Sequence, residues 1–337
     1  MASSEFVGLD IGTSTFKGIQ VKGKTLTAYY QAAAPGVSLL SENPNDLKQI
    51  SDSLRKFFDD AKFRTRNVVT SVPESQVFTR VINLPQMGEA EIASSVKNEA
   101  PQYVPMPLEQ AVLDYEILGP SETQSGSVDV LLVAVPKALT QKYLQLLQGA
   151  GLTPLSLETE TIALSRSVVG DSSQPVMVAS IGATTTDISI FSGGALRFTR
   201  SIATGGKSLE RALAQTFNLE MGQAAEYIRT YGLEGKLEGK VMGAIKPVFD
   251  IIVEELKRSQ AFFTSRSRRP ISRLVLVGGT ANLPGVLVYL AQALGVEVAR
   301  GNPWETAISI PGNFPREYLE EFASSFAVAA GLALKEI

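Results

Sequence analysis

Short apolar runs ending in glycine and small hydroxyl residues mark two places in the chain. The first is Phe6-Val7-Gly8-Leu9-Asp10-Ile11, which runs into Gly12-Thr13-Ser14-Thr15-Phe16. The second is Val176-Met177-Val178-Ala179-Ser180-Ile181, which runs into Gly182-Ala183-Thr184-Thr185-Thr186. Apolar runs of roughly four to eight residues bounded by such residues predict strands. Each is followed by a second strand (Ile19 to Val21; Ile188 to Phe191), a tight glycine turn (Lys22-Gly23-Lys24; Ser192-Gly193-Gly194) and a third strand (Leu26 to Tyr30; Leu196 to Arg200). A three-strand pattern repeated at half the chain length predicts two related lobes.

Helical spacing takes over between these segments. Leu47, Ile50, Leu54, Phe57, Phe58 and Ala61 fall on one helical face, and Val68 to Val72 reads as a buried strand stopped by Pro73. A helix is expected from Glu89 to about Ala100, with Ile92, Ser95, Val96 and Glu99 on a stripe that can pack on the lobe. An extended, proline-rich run, Tyr103-Val104-Pro105-Met106-Pro107, is expected after it. A strand (Val112 to Leu118), a polar turn (Pro120 to Ser127), a strand (Val128 to Val135) and a helix (Leu139 to Gln148) complete a small α/β subdomain inserted in the first lobe. The second half predicts helices over Glu210 to Tyr231 with a break near Asn218, over Val241 to Ser265 with a bend at Pro247, over Pro284 to Leu294 and over Tyr318 to Leu334. A strand over Arg273 to Val277 leads into Gly278-Gly279-Thr280. The expected fold class is α/β. Residues 1–86, 151–174 and 320–337 form the first lobe, 87–150 the insert, and 175–319 the second lobe with a helical part at about 207–268.

Composition narrows the chemistry. Apolar residues are 44% and charged residues 19% of 337, so two packed domains are affordable to the chain and disorder is not expected. The net charge of −3, with Lys and Arg scattered, argues against a nucleic-acid surface. There are no cysteines and no histidines. Disulfides, thiolate nucleophiles, imidazole bases and zinc–cysteine sites are therefore excluded. Any reaction must use carboxylates, hydroxyls, lysines and a hard cation such as Mg²⁺. No apolar stretch approaches the ~20 residues of a membrane span, and a strand pattern beginning at Phe6 leaves no room for a signal peptide, so a cytoplasmic protein is expected.

The turn Gly12-Thr13-Ser14 can bring backbone N–H groups and hydroxyls to a phosphate. Asp10 at the strand end could hold Mg²⁺ through water, and Lys17 could offset phosphate charge. Alone, this is also how an ordinary polar hairpin looks. The second turn, with Gly182, Thr184 and Thr185, raises the reading to two loops clasping a phosphate chain, with Asp187 standing where Lys17 stands. Gly278-Gly279-Thr280 between a strand and a helix leaves room for a flat ligand, and Gly205-Gly206 before another helix is a weaker case of the same kind.

The series LDIGTSTFK, SIGATTTDISIF and LVLVGGTANLPG resembles the actin/Hsp70/sugar-kinase superfamily, and within it AEIASSVKNEAPQYVPMPLEQAVLDYEILG and LLVAVPKALTQKYLQLLQGAGLTPLSLETETIALSR resemble the PilM family of actin-like, FtsA-related type IV pilus assembly proteins. The resemblance implies a two-lobed actin-like fold binding ATP and Mg²⁺. It assigns Asp10, Gly12, Thr13, Ser14 and Lys17 to the first phosphate motif. Gly182, Thr184, Thr185 and Asp187 fall to the second, and Gly278, Gly279 and Thr280 to the adenosine motif. It places Glu160 near an attacking water and Glu254, Lys257 and Arg258 near ribose and adenine. One position departs from the motif: Ser180 stands where an Asp is usual, so weak or absent hydrolysis is expected. The implied partner is the N-terminal peptide of an inner-membrane PilN-type protein, docked between the first lobe and the insert. Other pilus assembly components are implied as well, with a homo-oligomeric ring left open and membrane contact made only through partners. A small-molecule kinase and an FtsA-like filament protein are the alternatives. No membrane anchor is expected after Leu334-Lys335-Glu336-Ile337.

Overall fold

The structure is a computed structural model in which residues 5–121, 124–170 and 172–337 are described. The expected polar turn from Pro120 to Ser127 includes residues 122 and 123, which lie outside the described residues. The chain opens with β1 (Val7–Ile11), β2 (Thr15–Lys22), β3 (Thr25–Ala33), α1 (Pro44–Ala61) and β4 (Asn67–Val72). Then come β5 (Phe78–Pro85), α2 (Glu89–Tyr103), β6 (Ala111–Pro120), β7 (Ser127–Pro136), α3 (Lys137–Gly149), β8 (Thr153–Thr159) and α4 (Glu160–Leu164). The second half holds β9 (Val176–Ile181), β10 (Thr186–Ser192), β11 (Ala195–Ile202), α5 (Gly206–Phe217), α6 (Met221–Tyr231) and α7 (Lys240–Ser267). It ends with β12 (Arg273–Val277), α8 (Val286–Leu294), β13 (Glu297–Arg300), α9 (Pro303–Thr306), α10 (Arg316–Glu321) and α11 (Ala323–Ala333).

Two five-stranded sheets share one topology. The orders are β3-β2-β1-β4-β8 and β11-β10-β9-β12-β13, each an antiparallel meander extended by two parallel strands. The likeness reaches their irregularities: the register shifts between Gln20 and Val21 in one sheet and between Ile190 and Phe191 in the other. A bulge bends its strand and sharpens the twist, so equivalent bulges give the two meanders equivalent curvature. The expected internal repeat is present as structure.

Each sheet is covered on both faces. In the first lobe Ile50, Leu54, Phe57 and Phe58 of α1 join Tyr143, Leu146 and Leu147 of α3 over Val7, Leu9 and Ile11. Asn43 caps α1 by accepting from the Asn45 N–H, and Pro44 presets the first turn. On the other face α11 lies directly on backbone: a Cβ on Gly8 would run into the main chain at Ala329 and Ala333, and one on Gly331 into the main chain of Ala163 in α4. Glycine is required there by close approach, not by torsion. In the second lobe α5, α7 and α8 bury Met177, Ala179, Ile181, Ile188 and Ile190.

The insert has its own sheet, ordered β5-β7-β6, with Ile92, Val96 and Ala100 of α2 packed on Ile82, Leu84, Val130 and Leu132. Its first strand lies ahead of the expected boundary at 87, and α3, expected with the insert, packs into the first lobe's core.

Several local expectations need correction. The stripe on α2 packs on the insert's own sheet, not on the lobe. Tyr103 is helical, because α2 continues through Pro101. Tyr103, Val104, Met106 and Leu108 then join the insert's core, so the run is no free extended segment. The terminal helix is broken at Phe322 into α10 and α11. The helix break at Asn218 is as expected, with Asn218 left-handed at φ 52°, and α7 runs unbroken through Pro247.

Candidate functional site

β1 and β2 present Asp10 and Lys17 as direct cross-strand partners, and β9 and β10 present Ser180 and Asp187 in the equivalent register. In the first hairpin Lys17 Nζ lies 3.1 Å from Asp10 Oδ2, and both side chains are nearly buried. In the second, Asp187 Oδ1 is buried with no hydrogen-bond partner, and the Thr185 hydroxyl is 3.5 Å from Oδ2. Burial pushes Asp187 up to about 6. The turns themselves are tight. A Cβ on Gly12 would lie 2.7 Å from the Thr15 carbonyl oxygen, and the Gly182 N–H donates to the Thr185 carbonyl at 2.9 Å.

The glycine motifs of the second half converge on its turn. The Gly206 N–H donates to the Gly182 carbonyl at 2.9 Å and the Lys207 N–H to the Ala183 carbonyl at 2.8 Å. A Cβ on Gly205 would sit 2.6 Å from the Gly182 carbonyl oxygen, and one on Gly206 3.3 Å from Thr280 Oγ1. Gly278 has φ 88°, faces the Ile181 backbone, and donates its N–H to the Ser324 carbonyl of α11 at 3.0 Å. Gly279 is different: a Cβ there would meet open space. Thr13, Ser14 and Thr184 are on the turns beside these glycines.

Glu160 starts α4, where Thr159 caps the helix by accepting from the Ile162 N–H. Burial, and then the charges of Asp187, Asp10 and Glu74, push its carboxyl well above the usual range, while Lys17 opposes them. So α4 brings Glu160 to the junction of both hairpins. Glu74 was not anticipated. It follows β4 and Pro73, is buried, and accepts 2.8 Å hydrogen bonds from Thr161 of α4 and Thr199 of β11. It therefore ties the first lobe to the second. Burial pushes it up to about 7 against those two hydrogen bonds, with the Asp187 charge adding to the rise. The sequence did hold a signal for it. The β1–β4 and β9–β12 registers make Thr70 equivalent to Leu276, so Glu74 takes the place of Thr280 in the repeat.

The expected ribose and adenine contacts are not drawn into this group. Lys257 pairs with Glu254 at 2.9 Å on the exposed side of α7, and the exposed Arg258 lies 3.5 Å from the buried Glu255. Among the described residues no cluster of acidic side chains converges to hold a metal unaided. That fits a cation held through few carboxylates, its water and a ligand's phosphates. No helix of the described residues is long and apolar enough to cross a membrane.

A family model described as type IV pilus assembly protein PilM matches residues 8–337. The chain belongs to the PilM family. Both hairpins, the insert and α11 lie within the match. A solved PilM-PilN type IV pilus biogenesis complex matches 99% of this chain and 100% of its own, with TM-score 0.86 and 32% identity. Cell division protein FtsA of Neisseria meningitidis serogroup B is 22% identical over 352 residues, 88% of this chain and 83% of its own. MreB 5 of Spiroplasma citri bound to AMPPNP matches 98% of this chain and 95% of its own, with TM-score 0.55 and 12% identity, a likeness of fold alone. The expected actin-like fold and the PilM resemblance are borne out.

Proposed function

We propose that this PilM-family chain binds ATP between its lobes as a cytoplasmic assembly or platform protein of a type IV pilus machine, docks the N-terminal peptide of an inner-membrane PilN-type protein, and hydrolyses ATP weakly or not at all. One observation carries the nucleotide reading: the duplicated hairpins set Asp10 beside Lys17 at 3.1 Å and Ser180 opposite Asp187 in the matching register, and leave a buried Asp187 oxygen without a hydrogen-bond partner. An acidic site so arranged fits a cation-bound phosphate chain. Mg²⁺ would supply charge neutralisation between phosphates and carboxylates, with Asp10 as its expected contact. Backbone N–H groups around Gly12–Ser14 and Gly182–Thr185 would bind the phosphates, Lys17 would orient them, and Gly279 would leave room for the base. Glu160 and Asp187, held toward protonation by burial, would position a water molecule. Ser180 offers a neutral hydroxyl where Asp10 offers a carboxylate in the repeat, which argues for retention of nucleotide over turnover.

The partner reading rests on membership of the family and on the solved complex of a relative with PilN. Calorimetry with ATP and Mg²⁺ on protein stripped of co-purified nucleotide tests the first part, and saturable binding is expected. A pull-down with a PilN N-terminal peptide, using wild type and a folded insert deletion, tests the second. Equal recovery from both would move the partner site off the insert.

A further inference from the structure

A cleft of about 650 Å³ lies between the insert's sheet and the second lobe. That is within the ~300–1,000 Å³ of small-molecule sites, which favour domain interfaces. Its wall on the insert follows from strand alternation. Val81 pairs with Leu131 and Asn83 with Asp129, so these four share the face opposite to the one covered by α2. The facing wall is β11, with Phe198 and Thr199, and the end of α7, with Phe262 and Phe263. Phe198 and Phe262 pack at a 45° tilt with ring centroids 5.4 Å apart, and Phe262 remains 44% exposed.

Charge on these walls is one-sided. The lining holds Arg80, Arg197 and Arg266 against one carboxylate, Asp129. That carboxylate is already saturated: Arg197 Nη1 donates to Oδ2 at 2.8 Å and Asn83 Nδ2 to Oδ1 at 2.6 Å. Arg80 turns to the other face of the insert's sheet, over the Tyr103 ring of α2 at 4.9 Å, whereas Arg266 lies over the Phe262 ring of the cleft at 4.6 Å. Among the described residues neither has a carboxylate partner. Stacking holds a guanidinium plane still and leaves its N–H edge free for a planar anion. The Thr79 hydroxyl on the same wall is buried with no hydrogen-bond partner. A mere solvent gap between subdomains gives no reason for an uncompensated arginine stacked on exposed aromatic surface in a chain whose net charge is −3.

We propose that this cleft binds a small molecule with a flat apolar body and an anionic group. The body lies against Phe198, Phe262 and Leu131, and the anion meets the edge of Arg266. Thr199 lines the cleft and also donates to Glu74, so a ligand there sits one hydrogen bond from the acidic group at the lobe junction. The site does not depend on nucleotide binding.

The probe is 1-anilinonaphthalene-8-sulfonate, followed by fluorescence titration of the full chain with and without saturating ATP and Mg²⁺. Saturable binding at one site is expected in both conditions. It should weaken about tenfold or more in Arg266→Glu and change by less than about twofold in Arg80→Glu, and the uncharged N-phenyl-1-naphthylamine should bind about tenfold more weakly than the sulfonate. Both arginines are exposed, so the variants should keep the wild-type melting temperature. Competition with phenyl phosphate and with benzoate then separates a phosphate ester from a carboxylate. Unchanged affinity in Arg266→Glu overturns the proposal, as do displacement of the dye by ATP and failure of both competitors.

Discussion

The first hairpin closes its charge within itself, because Asp10 meets Lys17 at 3.1 Å. The second hairpin has the same strands, register and bulge, yet Ser180 faces Asp187 and one carboxylate oxygen has no partner. Backbone geometry was duplicated while its charge balance was not. Alternation and bulge position depend on where apolar residues and glycines fall, and these recur in both halves. Charge compensation depends on single side chains, and those differ. Beyond the hydroxyls of Thr185 and Ser201 beside Asp187, the second half is relieved by a proton or by an incoming cation.

Removing that lysine should have the largest effect. Lys17→Ala leaves the junction's carboxylates without their opposing cation and is expected to lower stability by about 3 kcal/mol, with loss of ATP binding, as read by denaturant titration and calorimetry. An unchanged midpoint would mean that the two hairpins are not electrostatically coupled.

Acid relief comes next. Glu74 is raised from 4.5 to about 7 and Asp187 from 3.8 to about 6. The folded state therefore holds these protons more tightly than the unfolded one. The corresponding stability is complete below about pH 4 and is lost as pH rises through 6 to 7. Nucleotide-free protein should melt higher at pH 5.5 than at pH 8. Glu74→Gln should remove about 2 kcal/mol of that difference, from the roughly 1.5 units between pH 5.5 and 7; an unaltered pH profile in the variant would contradict the assignment.

Gly279→Val adds a side chain in open space and should weaken ATP binding about tenfold or more at unchanged melting temperature. Gly278→Val, strained at φ 88° and against the Ile181 backbone, should instead lower the melting temperature. The smallest effect is expected from Ser180→Asp, which makes the second hairpin resemble the first. Thermal stability without Mg²⁺ should fall slightly, and ATP turnover, assayed by phosphate release, should become more Mg²⁺-dependent. Robust wild-type hydrolysis lost in Ser180→Ala would show that the serine substitutes fully for the carboxylate.

The meanders, both turns and the match of Asp187 to Lys17 were legible because they are local and repeated. β5, β8 and β13 were not, since Thr153–Thr159 and Glu297–Arg300 lack a clean apolar alternation. Helix α2 passes Pro101, where a local rule would stop it, because Tyr103 and Val104 find places in the insert's core. Glu74 was invisible for another reason: its partners Thr161 and Thr199 stand 87 and 125 residues away. Only comparing the fourth strand of each half, rather than the first three, would have drawn attention to it.

Helix α11 acts as a gauge block. Near its start the Ser324 carbonyl holds the Gly278 turn of the second lobe, and near its end Ala329 and Ala333 rest on Gly8 of the first. At about 1.5 Å per residue, the count of residues between those contacts sets the distance from the adenosine turn to the strand that bears Asp10. Gly331 against Ala163 leaves no side chain in between to take up error. A one-residue insertion would turn the far contacts by about 100°, so the helix should tolerate changes of residue at its half-buried positions, Ser325 and Val328, far better than any change of length.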